Sequence, residues 1–340
     1  MKQLLYTLAG LLLIATTSCE HKELCYHHSE HAQKYHIKVV ADYRYDWEEC
    51  YGGIDWESNW PEEYKPYDEL RPGKPSGLRV VNTTIDGSKS NMHNISPDGG
   101  VVTLFEGLNN ILFYNNDTEY IIFSQEGAGR DATTRATTRS RARSTYKRSE
   151  FANEGEETMT PPDMLYGNYF VDYLCEKLVT PAEVRVTLQP LVFTYKVRYE
   201  FAEGREHVTL ARGALSGMAR SVNINTGETS AEASTLLFDG EMTPWGARAF
   251  VNSFGVPDFP NANYPSRAEA KHALNLEVML KNGTMLSFDF DVTDQVLAQP
   301  HGGVIVVKDI VVEMEEGKPS GGFDVSVSDW GPYEDIYLPL

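Results

Sequence analysis

The run Leu191-Val192-Phe193-Thr194-Tyr195-Lys196-Val197-Arg198-Tyr199-Glu200-Phe201 decides the fold. Phe193, Tyr195, Val197 and Tyr199 fall at every second position, so one side is apolar. That is the period of a half-buried strand. Similar runs lie on both sides. Val184 to Leu188 alternates, and Leu274–Leu280, Met285–Val292 and Val304–Val312 continue the series. Lys281-Asn282-Gly283-Thr284 between two of them reads as a hairpin of type I′, in which Asn-Gly accepts positive φ. Residues 211–220 are rich in small side chains and read as a short helix or a close strand crossing. One short helix is expected at Asp294–Ala298. Nothing alternates β with α, which excludes a nucleotide-binding parallel sheet.

The first half has the same character. Ile37, Val39 and Ala41 share a face between Tyr35 and Trp47. Leu78–Asn82, Gly100–Leu104, Asn110–Tyr114 and Tyr120–Phe123 read as further strands, with a turn at Glu106-Gly107. Short strands with frequent turn signals specify an all-β sandwich architecture.

At the N-terminus, Met1-Lys2 is followed by an apolar run from Leu4 to Ile14 and then Thr16-Thr17-Ser18-Cys19. This has the form of a secretory signal, too short for a bilayer span of about 20 apolar residues. A cysteine directly after the small residues makes it a lipoprotein signal, with acyl chains expected on Cys19. Residues 1–18 are then the signal and 19–34 a His-rich polar tether. The formal charge is −19, and losing Lys2 makes it more negative. Such a chain is a poor partner for nucleic acid, where Lys and Arg must neutralise phosphates. It is also repelled by anionic head groups, so the lipid must do the attaching. Cys25, Cys50 and Cys175 remain, an odd number that implies no complete disulfide framework.

Arg130 to Arg148 differs from its surroundings. It holds seven basic groups against Asp131 and almost no apolar residue. So few apolar side chains do not offset the entropy of ordering a backbone. Residues 126–162 therefore read as a flexible linker, with Arg135, Arg139, Arg141 and Arg143 as protease-sensitive positions. It separates an N-terminal sandwich (35–125, with an acidic aromatic insert at 46–76) from a C-terminal one (163–340).

Several motifs carry a resemblance. The signal with Cys19-Glu20-His21-Lys22-Glu23-Leu24-Cys25 resembles the start of a Bacteroidales lipoprotein family of unknown function. So do Tyr114–Glu119, Pro162–Gly167, Leu215–Ala219, Phe290–Gln295 and Gly322–Val327. That family is similar to fimbrillin-like and fimbrial-anchor lipoproteins. The resemblance implies two tandem transthyretin-like β-sandwich domains, here joined by the Arg/Thr-rich linker. It also implies an outer-membrane, lipid-anchored protein at the cell surface, with other fimbria-like subunits as partners.

The sequence offers no Gly-x-Ser-x-Gly elbow, no His-Glu-x-x-His and no phosphate loop. Ser216 lies among small residues that suit close packing. Asp289, Asp291 and Asp294 have oxygen donors for calcium, but also read as a strand end facing water. No catalytic residue, metal site or cofactor is assigned. The insert residues Trp56, Trp60, Tyr64 and Tyr67, beside Asp55, Glu62 and Glu63, form the candidate ligand or partner surface. Aromatic faces stack on sugars, and Trp and Tyr are common in protein interfaces; the same rings also suit a loop folded over its own sandwich. Two functions follow: a non-enzymatic accessory or anchoring subunit of a fimbria-like assembly, or a surface lipoprotein that binds a glycan or other ligand.

Overall fold

In a computed structural model, the described residues are 34–44, 73–127, 131–176, 182–259 and 271–313. In chain order the strands are β1 (Lys34–Tyr43), β2 (Leu78–Thr84), β3 (Ser90–Ile95), β4 (Gly99–Phe105), β5 (Gly107–Asn115) and β6 (Ile121–Glu126). Next come β7 (Thr133–Thr138), β8 (Glu157–Met159), β9 (Tyr166–Cys175), β10 (Ala182–Pro190), β11 (Phe193–Glu203) and β12 (Val208–Ala219). The last are β13 (Ser221–Asn223), β14 (Ala233–Thr243), β15 (Gly246–Ser253), β16 (Ala273–Leu280), β17 (Met285–Asp291) and β18 (Gly303–Val311). A short helix, α1 (Thr293–Leu297), joins β17 to β18. The all-β expectation holds.

Seven strands form the first sheet, in the order β3-β2-β5-β9-β10-β1-β4. Its core is Ile37, Val39, Leu78, Val80, Ile111, Phe113, Tyr166, Val184 and Val186 with their neighbours. β1 lies parallel to β10, with Ile37 opposite Ala182, Val39 opposite Val184 and Tyr43 opposite Leu188. The second sheet follows the order β17-β16-β12-β14-β15-β11-β18, with β8 added to β14. Tyr195, Val197 and Tyr199 of β11 enter its core with Leu215, Phe238, Leu276 and Ile305. A small sheet, β13-β7-β6, supports a third apolar cluster that includes Leu112, Tyr114, Ala136, Leu191 and Phe254.

The second sheet explains the small residues at 211–220. They are strand, and the close-crossing alternative is the correct one. A Cβ on Gly213 would lie 2.2 Å from the Phe238 ring and 2.7 Å from the Tyr199 hydroxyl. The hairpin at 281–284 also forms, but with a different turn. Only Gly283 takes positive φ (80°). The Gly283 N–H donates to the Leu280 carbonyl, and the Leu280 N–H to the Thr284 carbonyl, each at 2.9 Å. This is a three-residue loop with glycine in the left-handed position.

Two expectations fail on the same stretch of chain. First, β9 and β10 belong to the first sheet, so that sheet takes in strands up to Pro190 and does not end at 125. Second, the described residues 131–162 are not a flexible linker. β7 pairs with β6 and β13. Beyond it the chain crosses the face of β12, β14 and β16 that points away from the core, and returns. The Arg141 N–H donates to the Thr158 carbonyl at 2.9 Å and the Thr160 N–H to the Arg139 carbonyl at 2.8 Å. β8 then joins β14 in parallel.

The reason lies in charge that is distant in sequence. Arg143 and Glu277 of β16 form an ion pair at 3.3 Å, with side chains only 1% and 3% exposed. Arg143 also donates to the carbonyls of Gly213 (3.2 Å) and Phe238 (2.9 Å). Thr145 donates to the same Glu277 carboxylate at 3.1 Å. Arg141 donates to the Leu237 carbonyl (2.8 Å) and to Asp239 (3.1 Å). The buried acid on β16 and the open carbonyls hold a segment that has little apolar surface of its own.

Removing one member of a buried ion pair strands the other and costs about 3–5 kcal/mol. Arg143→Leu is therefore expected to lower stability by about that amount in urea denaturation, and adding Glu277→Leu to restore much of it. Limited trypsin digestion of the native protein is expected to spare Arg141 and Arg143. Early cuts should fall instead at exposed Lys147 or Arg148.

Candidate assembly surface at the sheet edges

A sheet that does not close presents rows of unpaired N–H and C=O groups at its edges. In the first sheet the edge strands, β3 and β4, are consecutive in the chain. They meet at their turn, where the Gly99 N–H donates to the Ser96 carbonyl at 2.9 Å, and then separate to pair with different neighbours. Side chains span the gap. The Thr103 N–H donates to His93 Nε2 at 3.1 Å, and Asn91 Nδ2 donates to the Thr103 carbonyl at 3.3 Å.

The second sheet has β18 at one edge and β17 at the other. The β18 edge is met by two glutamines. Gln295 Nε2 donates to the Val306 carbonyl at 3.1 Å, while its Oε1 accepts the Val306 N–H at 2.9 Å. Gln299 does the same for Val304, at 2.9 and 2.8 Å. The spacing makes this possible. Four helical residues rise about 6 Å, and two strand residues about 6.6 Å. Each primary amide thus reproduces the donor and acceptor of a missing strand. Farther along, Asp309 takes positive φ (60°), and the register against β11 shifts.

The β17 edge is different. Leu280 N–H to Thr284 carbonyl and Val292 N–H to His272 carbonyl (3.0 Å) fix the phase of the β16–β17 ladder. Bonded and non-bonded pairs alternate in an antiparallel ladder. Residues 286, 288 and 290 therefore bond to β16, and the backbone of Met285, Ser287, Asp289 and Asp291 points outward. Among the described residues no strand pairs with that edge. Leu286, Phe288 and Phe290 lie partly exposed against the second core.

Other sequence candidates fall as follows. Cys19, Trp56, Trp60, Tyr64 and Tyr67 lie outside the described residues, as do Cys25, Cys50 and 322–327. Arg135 makes a two-pronged contact with Glu126 (2.6 and 3.0 Å) and donates to the Ser221 hydroxyl at 3.0 Å. Arg139 is half-buried, and Arg141 and Arg143 are buried. These four arginines brace the fold and do not form a common exposed site. Ser216 is buried against the Thr235 hydroxyl at 3.1 Å. Asp289 accepts from Asn275 (3.0 Å) and Asp291 from the Thr293 N–H (3.0 Å). No metal-binding cluster occurs among the described residues, and no described helix is long and apolar enough to cross a membrane. Cys175 is a buried free thiol, its pKa raised by burial and by the charge of Glu106. The pairing role of Gln295 and Gln299 was missed in the sequence; their four-residue spacing just before a predicted strand was the available signal.

A family model described as Domain of unknown function (DUF5119) matches residues 68–239, just over half of the chain. The chain belongs to the DUF5119 family. The DUF5119 match begins before β2 and ends within β14, so it takes in most strands of the first large sheet, the arginine segment and the first strands of the second. Among solved structures, a candidate adhesin from Bacteroides ovatus is similar with a TM-score of 0.57 and 18% identity, covering 85% of this chain and 95% of that one. That likeness is one of fold. A protein of Bacteroides thetaiotaomicron described as polysaccharide-binding gives 0.45 at 10% identity, covering 82% and 92%. The fimbrial anchor protein Mfa2 of Porphyromonas gingivalis gives 0.41 at 13% identity, covering 81% and 91%. No curated protein matches the chain.

Two outcomes are expected. Each amide contributes two hydrogen bonds, roughly 1–3 kcal/mol per glutamine. Gln295→Ala with Gln299→Ala should speed hydrogen exchange of the Val306 and Val304 amides by about tenfold or more, with β16 amides little changed. The second concerns His272, which is buried. Burial lowers its pKa from 6.5 to about 4. A pKa depressed on folding gives stability that is present above about pH 6.5 and lost as pH falls toward 4, here about 3 kcal/mol. His272→Phe should flatten this part of the pH–stability curve measured by urea midpoints.

Proposed function

We propose that this chain is a non-enzymatic surface lipoprotein, held at the outer membrane by acyl chains on Cys19. It acts as an accessory or anchoring subunit of a fimbria-like assembly. The observation that carries the proposal is the difference between the two edges of the second sheet. β18 is closed by dedicated side chains. β17 carries four outward-facing peptide units beside partly exposed Leu286, Phe288 and Phe290. An edge of this kind accepts a strand from another subunit, with main-chain hydrogen bonds for affinity and alternate apolar side chains for register. The shared fold of a candidate adhesin accords with a surface role. The two sandwiches are read here as the tandem transthyretin-like pair that the resemblance implies.

Ser287→Pro tests the edge. It removes an outward N–H and leaves every ladder bond to β16 in place; proline is tolerated at such positions. The monomer should melt within a few degrees of wild type, while envelope crosslinks to other subunits disappear. Phe288→Pro is the contrast, since its N–H bonds to β16 and its loss should destabilise the monomer itself. Unchanged crosslinking by Ser287→Pro removes β17 from the proposal. A protein that stays monomeric in the envelope and binds an oligosaccharide through Trp56 or Trp60 favours the glycan-binding alternative. Cys19→Ala should move the protein from the membrane to the soluble fraction; if it stays in the membrane, the lipid anchor is wrong.

A further inference from the structure

The face of the first sheet that points away from its core carries a narrow cleft. Val81, Leu112 and Tyr169 stand level on β2, β5 and β9 and form its floor. One step along the strands, Thr83 stands opposite Asn110. The small sheet supplies the other wall, through Gln125 of β6 and Thr133 and Thr134 of β7. Asn225 joins that wall, and its Oδ1 accepts the Thr134 N–H at 2.7 Å.

The chemistry of this lining is selective. None of the residues that form the cleft is charged, in a chain that is 23% charged. An ionic ligand finds no counter-charge there. The polar groups are instead primary amides and hydroxyls, each able both to donate and to accept. Sugar hydroxyls have the same double capacity, and the apolar floor suits the C–H face of a sugar ring. Asn110 points to a ligand most directly. It is 6% exposed, and its Oδ1 accepts the Asp172 N–H at 3.1 Å. Its Nδ2 group has no hydrogen-bond partner among the described residues, which leaves two donors for whatever enters the cleft. Gln125 and Thr133 likewise make no side-chain hydrogen bond among the described residues.

Size narrows the class further. The cleft encloses about 40 Å³, whereas a pocket that buries a whole small ligand holds about 300–1,000 Å³. It admits the hydroxyl-bearing edge of one ring. The apolar row continues beyond it, because Met92 of β3 is level with Val81 and 56% exposed. From Tyr169 to Met92 the row crosses three strand spacings, roughly 14 Å. A second ring thus has a surface to lie on.

We infer that this cleft binds the terminal residue of a neutral oligosaccharide, with Asn110, Gln125 and Thr133 on its hydroxyls and Met92 under the next ring. The site is independent of β17, which belongs to the second sheet. The test is an NMR titration of the intact, isotope-labelled protein. The probes are methyl glycosides of glucose, galactose, mannose and N-acetylglucosamine, and the neutral trisaccharides built from them. At least one should shift the side-chain amide signals of Asn110 and Gln125 saturably at millimolar concentration. Its trisaccharide should bind at least threefold more tightly, and Met92→Ser should remove that gain. Gln125→Ala with Thr133→Val should weaken binding about tenfold, with melting within a few degrees of wild type. Should that variant not fold, the shift map of the wild-type protein decides. Silence of both amides toward every glycoside overturns the inference. So do shifts confined to other residues, or unchanged affinity in the folded double variant. Tighter binding of sodium glucuronate than of any neutral probe overturns the neutral class. Amide shifts caused by another purified envelope protein, where no sugar causes them, overturn it in favour of a protein partner.

Discussion

A backbone amide without a partner is the constraint on which this architecture turns. Each large sheet here is open, so each must do something with two rows of edge groups. The first brings its edge strands together at a shared turn and lets His93 and Asn91 span the remaining gap to Thr103. The second places a single helical turn beside β18 and uses Gln295 and Gln299 as a surrogate strand. Three of the four edges are thus managed by ordinary side chains. Among the described residues β17 is the exception.

The arginine segment obeys the same logic of satisfaction, applied to charge. Arg143 has an acid, two carbonyls and almost no water around it. A pair of this kind contributes little net stability compared with apolar side chains of the same shape. It does fix where the segment lies, because every other position on the sheet lacks the acid at 277. The segment in turn covers a face of β12, β14 and β16 that would otherwise carry Arg212, Ser216, Thr235 and Glu277 into solvent.

What was legible in the sequence was local. The alternation in β11, the Asn-Gly turn between β16 and β17 and the short helix before β18 all follow from neighbours within a few residues. The turn subtype did not follow, since Asn282 keeps negative φ and glycine alone takes the left-handed position. The assignment of β9 and β10 to the first sheet was hidden, because strand pairing across dozens of residues leaves no trace in periodicity. The arginine segment was misread for a related reason. Composition counts the apolar residues a segment contains, and says nothing of Glu277, which lies more than a hundred residues away. At the site, β17 was recognised as a strand, but the contrast between its edge and that of β18 needed the glutamines to be seen in place.

The position of β1 has a mechanical consequence. It runs between β10 and β4 in the interior of the first sheet, with its apolar residues in the core. A pull on the chain ahead of Lys34 is directed along the strand and is resisted by the ladders on both sides. Such a load shears many hydrogen bonds together and does not peel them one at a time. The first sheet is thus able to carry tension applied from its N-terminal end.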